Sequence, residues 1–147
     1  MNEANSEDAP VYLEVRPATV DDLPELEALV DRFVRANRLL PRTPDELQDL
    51  IPFGFVACAD ERLVGFAALE IYSSKLAEIR SLAITEEMQG RGLGKRLVEA
   101  CVSLAHSRNV LEVMAITSAE GFFRSCGFDF TLPGEKKALF IQTREHP

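Results

Sequence analysis

The segment Gln89-Gly90-Arg91-Gly92-Leu93-Gly94 constrains this chain more than any other stretch. Before it stands an apolar run, Ile79–Ile84, that reads as a strand. After it, Leu93, Leu97, Cys101 and Leu104 recur at helical spacing. Glycines at a strand-to-helix junction admit positive φ and let the backbone approach a ligand closely. The free N–H groups of the first helical turn, together with the helix dipole, attract an anion. Arg91, Lys95 and Arg96 add positive charge. These features describe a cradle for a pyrophosphate, with a plain glycine turn flanked by surface basic residues as the open alternative. Two competing phosphate motifs are excluded. A Walker loop requires a hydroxyl residue after its lysine, and Arg96 follows Lys95. The dinucleotide fingerprint requires GxGxxG, and Gly90, Gly92 and Gly94 are spaced GxGxG.

The flanking elements follow from pattern and punctuation. Val11–Arg16 predicts a short strand. Thr19 predicts a helix cap, followed by Leu23, Leu26, Leu29, Val30 and Phe33 at helical spacing. Thr43-Pro44-Asp45-Glu46 is a second helix start, with a capping hydroxyl, proline at the first position and carboxylates against the dipole. Gly54–Ala59 and Leu63–Tyr72 predict a hairpin turning at Asp60–Arg62, and Leu76–Thr85 a further strand. The helix from Leu93 runs to about His106. Val110–Thr117 predicts a strand and Ala119–Cys126 a short helix stopped by Gly127. Phe128–Thr131 and Ala138–Thr143 predict closing strands around Pro133-Gly134. This order implies an α/β fold, a mixed sheet with helices on its faces.

Composition removes several function classes. With 16 Lys+Arg against 24 Asp+Glu the net charge is −8, a poor match to nucleic acid, which demands a broad basic face. No apolar run reaches membrane-spanning length, and Met1–Pro10 is a polar, acidic stretch that reads as a disordered leader rather than a signal peptide. The remainder, 11–147, reads as one domain. Cys58, Cys101 and Cys126 are widely spaced and odd in number, which argues against a disulfide framework or a zinc site. The expectation is a reduced, cytoplasmic protein without metal, and Cys126 reads as a core thiol.

The glycine segment also matches the Q/R-x-x-G-x-G/A signature, and Ala119-Glu120-Gly121-Phe122-Phe123-Arg124-Ser125-Cys126-Gly127-Phe128 is similar to an A-x-x-F-Y-x-x-x-G-F segment. In this order, and with these elements, the two resemble the GNAT superfamily of N-acetyltransferases over nearly the whole chain. The resemblance implies the GNAT fold, with a mixed, mostly antiparallel sheet, and acetyl-CoA as co-substrate. It implies that Gln89, Gly90, Arg91, Gly92, Leu93, Gly94 and Lys95 hold the pyrophosphate. It gives the backbone of Ile84 to the pantetheine arm and the N–H of Leu82 to the thioester carbonyl.

Acyl transfer to an amine needs a base for the amine, a donor for the oxyanion and a way to stabilise the leaving thiolate. Glu78 stands where histone acetyltransferases of the superfamily carry their general base, so the resemblance implies that role. In a part-buried cleft a carboxylate is expected to become a better base. The family's acid is often tyrosine where this chain has Phe123. Tyr12 and Tyr72 lie elsewhere in the sequence, which leaves Ser118, Thr117, Cys126 or no side-chain acid at all.

A narrower resemblance runs over residues 39–145. Leu39-Leu40-Pro41-Arg42-Thr43, the strand Ala77–Ile84 and the tail through Gln142-Thr143-Arg144 are similar to the acetyltransferase half of bacterial N-acetylglutamate synthases. It implies L-glutamate as acceptor and a place in arginine biosynthesis. Arginine suits carboxylates best, through its two-pronged donor geometry. The resemblance assigns Arg42 and Arg144 to the substrate carboxylates, with Arg80 and Lys136 as weaker candidates. Another amino acid, small amine or protein amine stays open, as does an acyl-CoA sensor without turnover. A homodimer through the last strand is a further expectation.

Overall fold

Thr43 and Pro44 open a helix as their residue types require. The Thr43 hydroxyl accepts the Glu46 N–H at 3.2 Å, and the Glu46 carboxylate accepts the Thr43 N–H at 3.1 Å. This reciprocal cap starts α2, Pro44–Leu50. The computed structural model describes residues 10–130, 139–141 and 143. They divide into two compact units, the first ending at Ile116 and the second beginning at Thr117.

In the first unit, β1 (Leu13–Pro17), β2 (Gly54–Ala59), β3 (Arg62–Ile71) and β4 (Leu76–Ile84) pair antiparallel in sequence order. Strand β5 (Glu112–Met114) adds in parallel to β4. Helices α1 (Leu23–Arg35) and α2 pack one face of the sheet. Leu26, Leu29, Val30, Leu47, Leu50 and Ile51 bury against Val56, Cys58, Phe66, Ala68 and Ala83 there. Strand residues alternate faces, and the register pairs Glu70 with Glu78 and Ala68 with Arg80. Glu70, Glu78 and Arg80 therefore continue the α1/α2 face beyond its apolar part. Helix α3 (Leu93–Ser107) packs on β2, β3 and β4 through a separate buried stripe that includes Leu93, Leu97, Val98 and Cys101.

Two boundaries differ clearly from the sequence expectation. The helix expected from Thr19 begins with a 3-10 turn, Val20–Asp22, before α1. Asp22 is the cause: its buried carboxylate accepts the Thr19 N–H at 2.8 Å and two Arg16 bonds at 2.9 and 2.8 Å. The Arg16 guanidinium, foremost by hydrogen bonding, holds that carboxyl below its ordinary range. The strand expected over Val110–Thr117 shrinks to Glu112–Met114, because β4 offers it partners only at Leu76, Ala77 and Glu78.

The second unit holds α4, Glu120–Ser125. Gly127 stops it at φ +94°, with its N–H on the Arg124 carbonyl and the Phe128 N–H on the Phe123 carbonyl, both at 3.0 Å. Phe123 meets Phe122 and Phe128 edge-on, with centroids 5.1 and 5.3 Å apart. Phe128–Phe130 is not a strand. Asp129 takes the Phe130 N–H at 2.8 Å, and Arg124 lies 4.9 Å over the Phe130 ring. Such local side-chain bonds compete with a ladder. Leu139–Ile141 and Thr143 are not strand either, and Cys126 is half-buried rather than core. The expected leader apart from Pro10, the Pro133-Gly134 turn, Lys136 and Arg144 lie outside the described residues, as do Ala138 and Gln142 of the expected dimer strand. Among the described residues no helix is long and apolar enough to cross a membrane.

Candidate active site

Strand β4 carries the site, and a bulge divides it. The register steps from Phe66–Ala83 to Ala68–Arg80, so Ser81 and Leu82 together oppose only Ala67. The extra residue is accommodated by a left-handed backbone at Ser81, φ +58°. On the other edge, pairing with β5 stops at Glu78. Leu82 thus falls outside the paired register of both neighbours. That suits a backbone N–H meant for a ligand rather than a ladder.

Beyond the bulge the chain enters the glycine segment through a 3-10 turn, Glu86–Met88. The Gln89 side chain reaches back and donates to the Ile84 carbonyl at 3.0 Å, fixing the segment to the strand end. Gly90 and Gly92 adopt φ +80° and +81°, which L side chains rarely tolerate. Gly92 is the N-cap of α3, and no side chain caps that turn. The helical ladder begins only with the Arg96 N–H on the Gly92 carbonyl at 3.1 Å, so the Leu93, Gly94 and Lys95 amides precede it. Gly94 itself is helical and not left-handed. Arg91 and Lys95 are exposed beside the turn.

The described residues fit a CoA-type ligand on two counts. A Cβ added at Gly90 or Gly92 would meet nothing within 4 Å, so space lies open over the amides. At the junction, the Thr85 hydroxyl is buried with no hydrogen-bond partner among the described residues, although such groups are normally satisfied.

Before the bulge the arrangement is one of side chains. Glu78 is 6% exposed. Its Oε1 accepts the Tyr72 hydroxyl at 2.5 Å and lies 3.6 Å from Arg80 Nη1. Arg80 Nη1 donates to Glu70 at 2.8 Å and to the Tyr72 oxygen at 3.2 Å. Loss of solvent, and then the bond to Glu78, pushes the Tyr72 hydroxyl up to about 12, so it remains a donor at any physiological pH. Two carboxylates directly opposite on an antiparallel pair repel each other. Arg80, 2.8 Å from Glu70 and 3.6 Å from Glu78, offsets that repulsion.

Arg42 completes the group. From the segment before α2 its Nε donates to the Ser81 hydroxyl at 3.0 Å, and its side chain is 11% exposed. A cleft of about 450 Å³ opens between α1 and α2, and Arg42, Glu27, Asp31 and Leu47 are among its walls. Arg42 thus lines this cleft and bonds β4 at Ser81.

The residues expected from sequence are therefore grouped as follows. Glu78, Arg80, Leu82 and Ile84 lie along β4, Arg42 reaches its bulge, and Gln89–Lys95 follow from its end. Tyr72, set aside from sequence as remote, is the residue that reading missed. A hairpin register counted from the β3–β4 turn would have brought residue 72 close to 78 on one face. Cys101, on α3, is fully buried, and that burial pushes its thiol up to about 12.

A buried carboxylate on β4 and a glycine turn with free amides after the end of that strand fit acyl transfer from CoA. The chain matches the family model for the Acetyltransferase (GNAT) family over residues 20–128 and belongs to that family. It is 32% identical over 114 residues to an uncharacterized N-acetyltransferase of Chlorobaculum tepidum, covering 78% of this chain and 74% of the relative. It is 30% identical over 117 residues to an amino-acid acetyltransferase of Mycobacterium tuberculosis, covering 78% and 67%. Among solved structures it resembles the N-acetylglutamate synthase of Neisseria gonorrhoeae with coenzyme A and N-acetyl-glutamate. The TM-score is 0.70 and the identity 25%, over 79% of this chain but only 28% of that longer one. A Mycobacterium tuberculosis protein in complex with CoA gives a TM-score of 0.73 at 27% identity, covering 85% and 76%. The protein is an N-acetyltransferase that uses acetyl-CoA.

Proposed function

We propose that the acceptor is the amine of a free amino acid, L-glutamate first among them. The observation that carries this reading is Arg42, a largely buried guanidinium anchored on β4 three residues from Glu78 and lining the cleft. A carboxylate held there would bring an α-amine toward Glu78. The relative named amino-acid acetyltransferase and the neighbour solved with N-acetyl-glutamate support the same class. A second reading rests on Glu27 and Asp31, which share the cleft, and on Arg80, whose Nη1 is already engaged by Glu70. Those charges favour an amino acid with a neutral or basic side chain.

In either case Glu78 removes the proton an ammonium must lose before it can attack. The Leu82 N–H receives charge developing on the acyl oxygen. Gln89, Gly90, Arg91, Gly92, Leu93, Gly94 and Lys95 would hold the diphosphate and the Ile84 backbone the pantetheine arm; acetyl-CoA would supply the acetyl group as its C–S bond breaks, the CoA thiolate leaving and taking a proton from water. The test is thiol release from acetyl-CoA across a panel of amino acids, with the product identified by mass. Glutamate is expected to give the highest kcat/KM. A rate with glutamate no higher than buffer, alongside turnover of another amine, overturns the substrate assignment and leaves the chemistry standing.

A further inference from the structure

Tyr72 lies just past the end of β3, where its N–H bonds the Leu76 carbonyl at 3.0 Å across the turn into β4. Its phenol has one proton to give and three neighbours: Glu78 at 2.5 Å, Glu70 at 3.3 Å and Arg80, which donates to it at 3.2 Å. Arg80 already satisfies Glu70 at 2.8 Å. The phenol proton is therefore left for Glu78, and a donor so close to a carboxylate makes a strong, charge-assisted bond. Both Tyr72 and Arg80 address Oε1 of Glu78. Among the described residues nothing bonds Oε2.

We propose that Tyr72 is a positioning residue for the acetyl transfer, fixing Oε1 of Glu78 so that Oε2 is presented to the acceptor amine. The proposal rests on Glu78 being the base. Tyr72 loses no proton in the cycle; the amine's proton goes to Glu78. Glu70 and Arg80 complete the device. The guanidinium offsets the repulsion between the paired carboxylates and occupies Glu70, which would otherwise compete for the phenol. Position matters here because a carboxylate displaced by about 1 Å can cost on the order of 100-fold in rate.

The experiment is a double-mutant cycle on the whole chain: wild type, Tyr72→Phe, Glu78→Gln and the double variant. It is read by kcat and both KM values, with CoA binding by calorimetry and thermal unfolding beside them. Tyr72→Phe is expected to lower kcat about tenfold or more, with each KM and the CoA affinity within about twofold of wild type. In the Glu78→Gln background it is expected to change nothing further, because the group it positions is gone. Two results overturn the proposal while leaving Glu78 as the base. One is wild-type kcat in Tyr72→Phe with a slow Glu78→Gln. The other is the same fold-loss from Tyr72→Phe in both backgrounds, the pattern of a purely structural role. Wild-type kcat in Glu78→Gln removes the base and Tyr72's function with it.

Discussion

The two sides of the β4 bulge are built from different materials. From Glu70 to Arg80 the site consists of side chains. Two opposed carboxylates, a phenol and a guanidinium are brought together across two strands. From Gln89 to Lys95 it consists of backbone: left-handed glycines, an uncapped helix start and open space above them. On the proposed function, the difference follows from what each side would bind. A diphosphate is met by a row of amides that one short contiguous segment can supply. Deprotonating an amine calls for one carboxylate with a controlled position, and that takes neighbours from elsewhere in the chain.

If this division holds, substitutions on the two sides fail differently. The largest effect is expected from Glu78→Gln, with kcat lower by about 10²–10⁴ and CoA binding by calorimetry unchanged. Next comes Gly92→Val, which forces a β-branched residue to φ +81°. Its cost is about 1–2 kcal/mol of stability in thermal unfolding, and its kinetic mark should be a raised KM for acetyl-CoA with the acceptor KM preserved. A Gly92 variant that lost kcat alone would blur the division.

Arg42→Lys sharpens the comparison on the acceptor side. It keeps the charge but loses the planar fork, so the acceptor KM is expected to rise about tenfold, the worth of one good hydrogen bond to a charged group. The KM for acetyl-CoA should not move. Asp22→Asn, remote from both sides, is a control for fold stability alone. It removes the charge partner of Arg16 and should cost about 2 kcal/mol with kcat intact. Because the folded state holds the Asp22 carboxyl below its ordinary range, this pair stabilises above that range. Its contribution is lost as pH falls through the lowered value. Denaturant midpoints of wild type and Asp22→Asn should therefore converge in acid. The smallest effect is expected from Ser81→Gly. It relieves a left-handed backbone but gives up the Arg42 bond, leaving stability within about 1 kcal/mol of wild type.

Much of this is legible in the sequence, and the parts that are not share a physical cause. Thr43, Pro44 and Glu46 announce their helix because a cap is a contract between residues three apart. The Gly90–Gly92 turn is legible because positive φ selects its residue locally. The strand expected from Phe128 does not form at Phe128–Phe130, because alternation there says nothing of Arg124 and Asp129, whose local bonds intervene. Tyr72 was passed over because nothing local marks a tyrosine at the end of a strand as the partner of a glutamate in the next.

Sequence by itself determined the alternation of strands and helices, the helix starts and the glycine turn, since each depends on dihedral preferences and bonds between near neighbours. Only the tertiary structure decided that β4 bulges at Ser81, that β5 leaves it after Glu78, that Tyr72 and Arg80 meet at the buried Glu78 carboxylate, and that Arg42 reaches Ser81. Those outcomes depend on strand register and on which charges are desolvated together, and neither quantity exists until the sheet has formed.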